Sequence, residues 1–310
     1  MIRYLANNEI DPEKWDNCIE EAFNGMVYAK TWWLDMVAPG WEGLVSDDYE
    51  SVMPLVGNRK YGINYLYQPA FTQQLGVFSK LVLSEHLVND FIEAIPRKFK
   101  FAEINLNTFN KFSGEVIESQ SWLTHELDLI KPYESLAKSY STNLRRNIKK
   151  AESNKLTLVK SSKPEDIIHL FRENRGKNIN HLKEEHYTML ARLIYAGIYK
   201  GLVTTYGVFS PTNDLCAGAV FLRSKKKAIF LFSGLNDVGK ELNAMPWLID
   251  KFIYEHSQQH LTLDFEGSND PNLARFYKSF AAREITYPHL KINRLPWFVS
   301  AGLKLIKGIR

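Results

Sequence analysis

Apolar and polar positions along the chain follow two periods, and each change of period marks where a strand gives way to a helix. Between residues 50 and 79 short apolar stretches break at Gly57-Asn58, Gly62 and Pro69-Ala70, which predicts three strands joined by turns. A helical pattern over 86–95 stops at Pro96, and AEINLN (102–107) and THELDL (124–129) then alternate as strands. Residues 133–153 read as one helix. The second half predicts a strand at 156–160, helices over 164–176 and 185–199, and the strands LVTTYGVFS, LCAGAVFLR and KAIFLFSGL. The first two of these strands close as a hairpin, because Ser210-Pro211-Thr212-Asn213-Asp214 between them is rich in turn formers. A helix over 244–259 carries Met245, Leu248, Ile249, Phe252 and Ile253 on one stripe, with Pro246 in its first turn, where a missing N–H is tolerated. LTLDFE, a GSND turn, a helix over 271–280 and REITYPHL complete the order.

Three strands, a helix and a strand therefore occur in each half. The economical reading is an α/β (α+β) protein with mixed, mostly antiparallel sheets flanked by helices, built from two units in tandem. The expected divisions are a first unit at 1–135, a basic linker helix at 136–155, a second unit at 156–292 and a tail at 293–310.

At 310 residues, 45% hydrophobic and 24% charged, the composition is that of globular domains and excludes disordered, collagen-like and coiled-coil classes. The formal net charge is only +4, so an argument for a polyanionic partner must rest on a local cluster. One exists: residues 138–163 hold eight bases (Lys138, Arg145, Arg146, Lys149, Lys150, Lys155, Lys160 and Lys163) against Glu152 alone, a local balance of +7. Cys18 and Cys216 are too few for a disulfide scaffold, and the N-terminal MIRYLANNEIDPEKW lacks the basic start and apolar run of a leader. No apolar run reaches the roughly 18 residues of a membrane span. The expectation is a soluble, cytoplasmic protein.

LTLDFE is the stretch richest in chemistry. Alternation sets Leu261, Leu263 and Phe265 on one face and Thr262, Asp264 and Glu266 on the other, so two carboxylates share a side and are candidates for a general base. The bland alternative is that one caps or pairs with a neighbouring helix. Asp270 and Pro271 then start a helix whose inward face carries Leu273, Phe276, Tyr277 and Phe280; a phenol there can protonate a leaving group or simply pack. Asn243 falls at the start of the helix after GLNDVGKELNAMPW, where first-turn N–H groups suit an anion, although most capped helix starts bind nothing.

Together these pieces resemble the GNAT acyltransferase superfamily, and within it the Fem-type, double-domain branch. The superfamily's R/Q-x-x-G-x-G/A loop, which cradles the coenzyme A pyrophosphate, corresponds here to Lys240-Glu241-Leu242-Asn243-Ala244-Met245, with Lys240 in place of Arg and Asn243 and Met245 in place of the glycines. LARFYKSFAA resembles the helix whose tyrosine protonates the departing thiolate, with Tyr277 at that position, and LRRNIKKAE resembles the basic helix before the catalytic-side domain. The resemblance covers the second half by motif and the first mainly by architecture. It implies two GNAT-like units, a coenzyme A thioester as cosubstrate, and transfer of an acyl group to a small-molecule or lipid-linked amine. In that scheme Glu266 or Asp264 takes the amine proton. Tyr277 protonates the leaving group, and backbone N–H groups around Gly234-Leu235 polarise the carbonyl. Leu235, Lys240, Leu242, Asn243, Ala244 and Met245 would line the coenzyme, and Arg145, Arg146 and Lys149 would meet phosphates. The alternatives are a Fem-type aminoacyltransferase that draws on aminoacyl-tRNA and acts on a cell-wall precursor, and a GNAT-like binding module without catalysis. DNA is not an expected partner.

Other signals count for less. HLKEEH resembles a zincin pattern, but histidines five apart on a helix diverge by about 140° and no metal is expected. Cys216 reads as a small buried hydrophobe. The basic end LPWFVSAGLKLIKGIR supports at most peripheral membrane contact. Trp15, Trp32, Trp33 and Trp41, with Tyr61, Tyr65, Tyr67 and Phe71, read as core, with an aromatic-lined cleft between the halves as the sharper alternative.

Overall fold

Asp11 starts the first helix: its carboxylate accepts the N–H groups of Glu13 and Lys14 at 3.0 and 3.1 Å, and Pro12 takes the first helical position. In this computed structural model, which describes residues 1–113, 118–178, 182–267 and 269–295, the chain begins with β1 (Ile2–Leu5), α1 (Pro12–Glu21) and α2 (Thr31–Val37). It continues through β2 (Glu42–Ser46), β3 (Ser51–Leu55), β4 (Gly57–Lys60), β5 (Ile63–Tyr67), β6 (Phe78–Ser79), α3 (Glu85–Glu93) and β7 (Phe99–Asn105). Next come β8 (Glu118–Asp128), α4 (Tyr133–Ser139), α5 (Thr142–Ser153), β9 (Thr157–Lys160), α6 (Pro164–Glu173) and α7 (Glu184–Tyr199). The chain then runs through β10 (Val203–Phe209), β11 (Leu215–Ser224), β12 (Lys227–Leu235), α8 (Asp237–Glu241), α9 (Ala244–His256), β13 (Thr262–Asp264), α10 (Pro271–Ser279) and β14 (Arg283–Asn293).

The chain forms two compact units, residues 1–122 together with the segment from Thr286 onward, and Leu123–Ile285. In the first, β1-β2-β3-β6 form an antiparallel sheet. A second set in the same unit runs β4-β5-β7-β14, in which β5 and β7 are parallel and the other pairs antiparallel. Its core gathers Leu66, Ala102, Ile104, Leu290 and Ile292 from these strands against Val88, Phe91 and Ile92 of α3. Trp15, Trp33 and Trp41 are buried, and each indole N–H has an acceptor: Ala29 O, Thr72 Oγ1 and Asp35 Oδ1.

In the second unit the order is β8-β13-β12-β11-β10-β9, antiparallel except for β12 and β13. One face of this sheet buries Phe221, Ala228, Phe230, Leu263 and Phe265 against α5, α9 and α10. On the other face α6 lies close: a Cβ on Gly218 would come within 2.7 Å of Ile167 Cγ1, and one on Gly234 within 2.5 Å of Ile167 O. Each unit thus holds one parallel strand pair joined by a helix, β5-α3-β7 and β12-α9-β13, beside antiparallel partners. Among the described residues no helix is long and apolar enough to cross a membrane.

Three expectations need correction. Residues 50–79 hold four strands instead of three and they do not pair in succession, because β3 pairs with β2 and β6 while β4 and β5 form a hairpin in the other sheet. The single helix over 133–153 is two, since the backbone opens to an extended conformation at Tyr140 and Ser141 then caps α5 by accepting a hydrogen bond from Leu144 N–H at 3.2 Å. Residues 136–155 are no linker: Leu144, Ile148 and Ala151 bury into the core of the second unit, and the unit boundaries fall inside β8 and β14 instead of at 135 and 156. The C-terminal basic tail, apart from its first residues, lies outside the described residues.

Candidate active site in the second unit

β12 outruns its parallel neighbour. The two pair from Lys227↔Thr262 to Ile229↔Asp264, after which β13 ends and β12 continues to Leu235. The chain beyond Asp264 turns to the other side, where Phe265 N–H donates to His125 O of β8 at 2.9 Å. A bulge follows on β12: Phe221 faces Phe230 and Val220 faces Phe232, so Leu231 is the extra residue and the side chains beyond it change face. Asn236 N–H donates to Cys216 O of β11 at 3.1 Å. By the two-residue alternation of a strand, the N–H groups of Leu235 and Ser233 therefore point to the opposite edge, the one β13 has vacated. The result is an internal sheet edge with donors aimed into a notch.

Sequence alternation expects Asp264 and Glu266 to share a face, and the backbone breaks that pattern. Glu266 adopts a left-handed conformation with φ of 52° and Gly267 follows at 54°, so the strand stops at Asp264. Glu266 is half-buried, and its N–H donates to Asp264 Oδ1 at 3.2 Å. Asp264 is fully buried and also accepts the Thr124 hydroxyl at 2.6 Å and Lys227 Nζ at 3.1 Å. Lys227 bonds Glu126 as well, which stands opposite Asp264 on β8. Burial alone would lower Lys227, but the Asp264 and Glu126 carboxylates outweigh it and hold the ammonium above the usual lysine range. Burial raises Glu126, an effect that Lys227 opposes and Asp264 reinforces.

Tyr277 lies on the other face. Its ring stacks on Phe265 at 4.7 Å and 24°, in the core shared with Leu127 and Phe280. The structure therefore separates Asp264 from Tyr277 by the thickness of the sheet. Beside Tyr277, with ring centroids 6.1 Å apart, sits His125, fully buried on β8. The residues that sequence reasoning missed are Thr124, His125, Glu126 and Lys227. A signal existed, since THELDL puts a histidine and a glutamate in a strand where apolar residues are expected, but the partners lie more than a hundred residues away and only the strand order joins them.

The expected pyrophosphate loop takes a different form. Residues 237–241 wind into α8, capped by Asn236, whose Oδ1 accepts Gly239 N–H at 2.8 Å. Lys240 pairs with Asp237 at 2.7 Å, and the N–H groups of Leu242 and Asn243 donate to Val238 O and Lys240 O. Asn243 occupies the position before α9 in a left-handed conformation, φ 56°, without a side-chain cap, while Ala244 and Met245 open α9 as buried residues. On α5, Arg145, Arg146, Lys149 and Lys150 all face solvent. Cys216 is buried, with Sγ 3.3 Å from Val208 O. Of HLKEEH, Glu184 pairs with Arg172, the His186 ring accepts Lys183 N–H, and His181 lies outside the described residues.

No family model matches the chain, and no curated protein matches it in sequence. Solved structures do match along nearly the whole length. The structure of FemX superimposes with a TM-score of 0.65 at 11% identity, over 96% of this chain and 98% of that one. L-PGS from Bacillus licheniformis gives 0.53 at 10% identity, over 96% of both chains. A conserved protein of unknown function from Bacteroides thetaiotaomicron gives 0.56 at 11% identity, over 94% and 99%. The fold of this chain is accordingly that of these proteins, a mixed α/β architecture consistent with two GNAT-like units in tandem.

Proposed function

We propose that the second unit transfers an acyl group directly to an amine. The observation that carries this reading is the notch where β12 outruns β13, because the Ser233 and Leu235 N–H groups there can hold an extended donor and polarise its carbonyl as negative charge develops on oxygen. Glu266, at the lip of the notch, takes the amine proton, directly or through water. Asp264, already committed to Thr124 and Lys227, braces that turn. Tyr277 protonates the leaving group. The acceptor is a small or lipid-linked amine, and the site of action is the cytoplasm.

Two features favour an aminoacyl ester of tRNA over a coenzyme A thioester as donor. The loop from Lys240 to Met245 spends its side-chain charge and two N–H groups on α8, and α5 offers four exposed cations. Calorimetric titration with acetyl-CoA, a long-chain acyl-CoA and aminoacyl-tRNA decides between them. The tRNA reading expects binding whose logarithm falls steeply with salt, and expects alanine at Arg145, Arg146, Lys149 and Lys150 to flatten that slope by about 0.7–0.9 per lost contact. Tight acyl-CoA binding with little response to those changes reverses the choice of donor. Leu235→Pro tests the notch itself, since it deletes one donor on the edge of β12 that β13 has vacated, an N–H that the pairing with Ala217 of β11 on the other edge does not use. Turnover should fall by about 10²–10³-fold with folding retained. A folded wild-type protein that binds none of the three leaves a binding module without catalysis as the reading.

A further inference from the structure

His125 is out of place as a core residue. It is fully buried, and neither ring nitrogen has a hydrogen-bond partner among the described residues. A neutral imidazole always carries one N–H, and a core that leaves it unsatisfied is destabilised by its lost hydration. Two residues that can carry a proton lie near it. Tyr277 of α10 faces the ring at 6.1 Å, and Glu284 of β14 sets a carboxylate oxygen 3.9 Å from Nε2, just beyond hydrogen-bond length. Glu284 is half exposed and pairs with Lys278 of α10 at 2.7 Å. Asp264 of β13 completes the charged surroundings. Burial holds His125 below the ordinary histidine range, against the pull of Glu284, so the ring is neutral and able to accept a proton at neutral pH.

We propose that His125 is the proton outlet of the candidate site, acting through Tyr277 on one side and Glu284 on the other; this rests on the acyl-transfer reading. An amine in water arrives as ammonium and must lose one proton before it can attack. That proton passes by way of Tyr277 to the free nitrogen of His125, while the N–H at Nε2 gives its proton to Glu284 and so to solvent. The neutral amine then forms the C–N bond and the bond from the acyl carbon to the leaving group breaks. Glu266 takes the second proton from the attacking nitrogen, Tyr277 gives its proton to the leaving group, and Glu266 returns its proton to Tyr277 through water. The balance is ammonium plus acyl donor yielding amide, protonated leaving group and one proton, and the path accounts for each.

The test is the pH profile of amide formation onto glycinamide, with acetyl-CoA or alanyl-tRNA as donor, for wild type, His125→Gln and Glu284→Gln. Glu284 lies at the surface, so its substitution spares the core, and circular dichroism checks His125→Gln. A proton outlet matters only while the amine is charged. Both variants should lose up to about 10²-fold near pH 6, where only about 1% of the glycinamide is neutral, and recover to within a few-fold of wild type above about pH 9.5. A folded His125→Gln protein with the same defect at every pH, or a Glu284→Gln protein with the wild-type profile, overturns the role given to His125 while acyl transfer stands. Failure of wild type to turn over either donor overturns the acyl-transfer reading instead.

Discussion

Lys227 shows how much one side chain can carry. Its ammonium serves two carboxylates from different strands, Glu126 and Asp264, and Asp264 is wholly buried. Lys227→Met would leave both acids facing each other without a cation, and removal of one partner from such a group costs about 3–5 kcal/mol, readable as a lower urea midpoint. Glu126→Gln should cost much less, since it relieves the like-charge pair. Histidines give a second expectation. Burial lowers His125, His256 and His289, so the unfolded chain takes up protons at these positions first, near pH 6.5, and the folded chain only further down. Stability is therefore complete above about pH 6.5 and falls as pH drops toward the folded values; urea midpoints measured between pH 8 and pH 5 should decline, and a flat profile would contradict the assignment. The sequence held only a hint of this, the histidine and glutamate inside THELDL, while Lys227 reads as one more surface base and the partners that give both residues meaning lie far along the chain.

Elements were far more legible. The strands Val203–Phe209, Leu215–Ser224 and Lys227–Leu235 fall where alternation and the Ser210–Asp214 turn place them, and Asp270 caps α10 through the N–H groups of Asn272 and Leu273. Reading failed where a local signal competes with periodicity. Ser141 interrupts a stretch that looks helical throughout, and the left-handed backbone at Glu266 ends a strand whose letters still alternate. The Leu231 bulge is invisible for the same reason, as it appears only in the pairing with β11. Contact between α6 and β12 carries a prediction at this scale. A methyl group on Gly234 would meet Ile167 O, Leu170 Cβ and Phe171 N at 2.5, 2.7 and 2.8 Å, all backbone or nearly so. Gly234→Ala must lift the helix from the strand, at a cost of about 1–3 kcal/mol by denaturant unfolding. Wild-type stability would mean that α6 sits further out.

At the scale of the whole molecule, the order of elements suggested duplication, and the recurrence of β5-α3-β7 and β12-α9-β13 bears out two GNAT-like units. The boundaries could not be read, because the first unit is discontinuous. Its core includes Leu290 and Ile292 from β14, and β7 pairs with that strand from Asn105↔His289 to Phe101↔Asn293. A fragment of residues 1–122 should therefore unfold without a cooperative transition, whereas residues 123–285, which hold their own core from Leu127 to Ala282, should unfold cooperatively. Circular dichroism in urea distinguishes these outcomes, and a cooperative 1–122 fragment would refute the division. The same discontinuity sets a timetable for the growing chain. Synthesis at about 5–20 residues per second takes on the order of ten to thirty seconds to pass from Leu123 to Ile285, and during that interval β7 exists without the strand that closes its sheet. The segment made first is completed last, so Ala102, Ile104 and their neighbours wait on the ribosome as an open edge, exposed to other nascent chains and to chaperones, until β14 emerges.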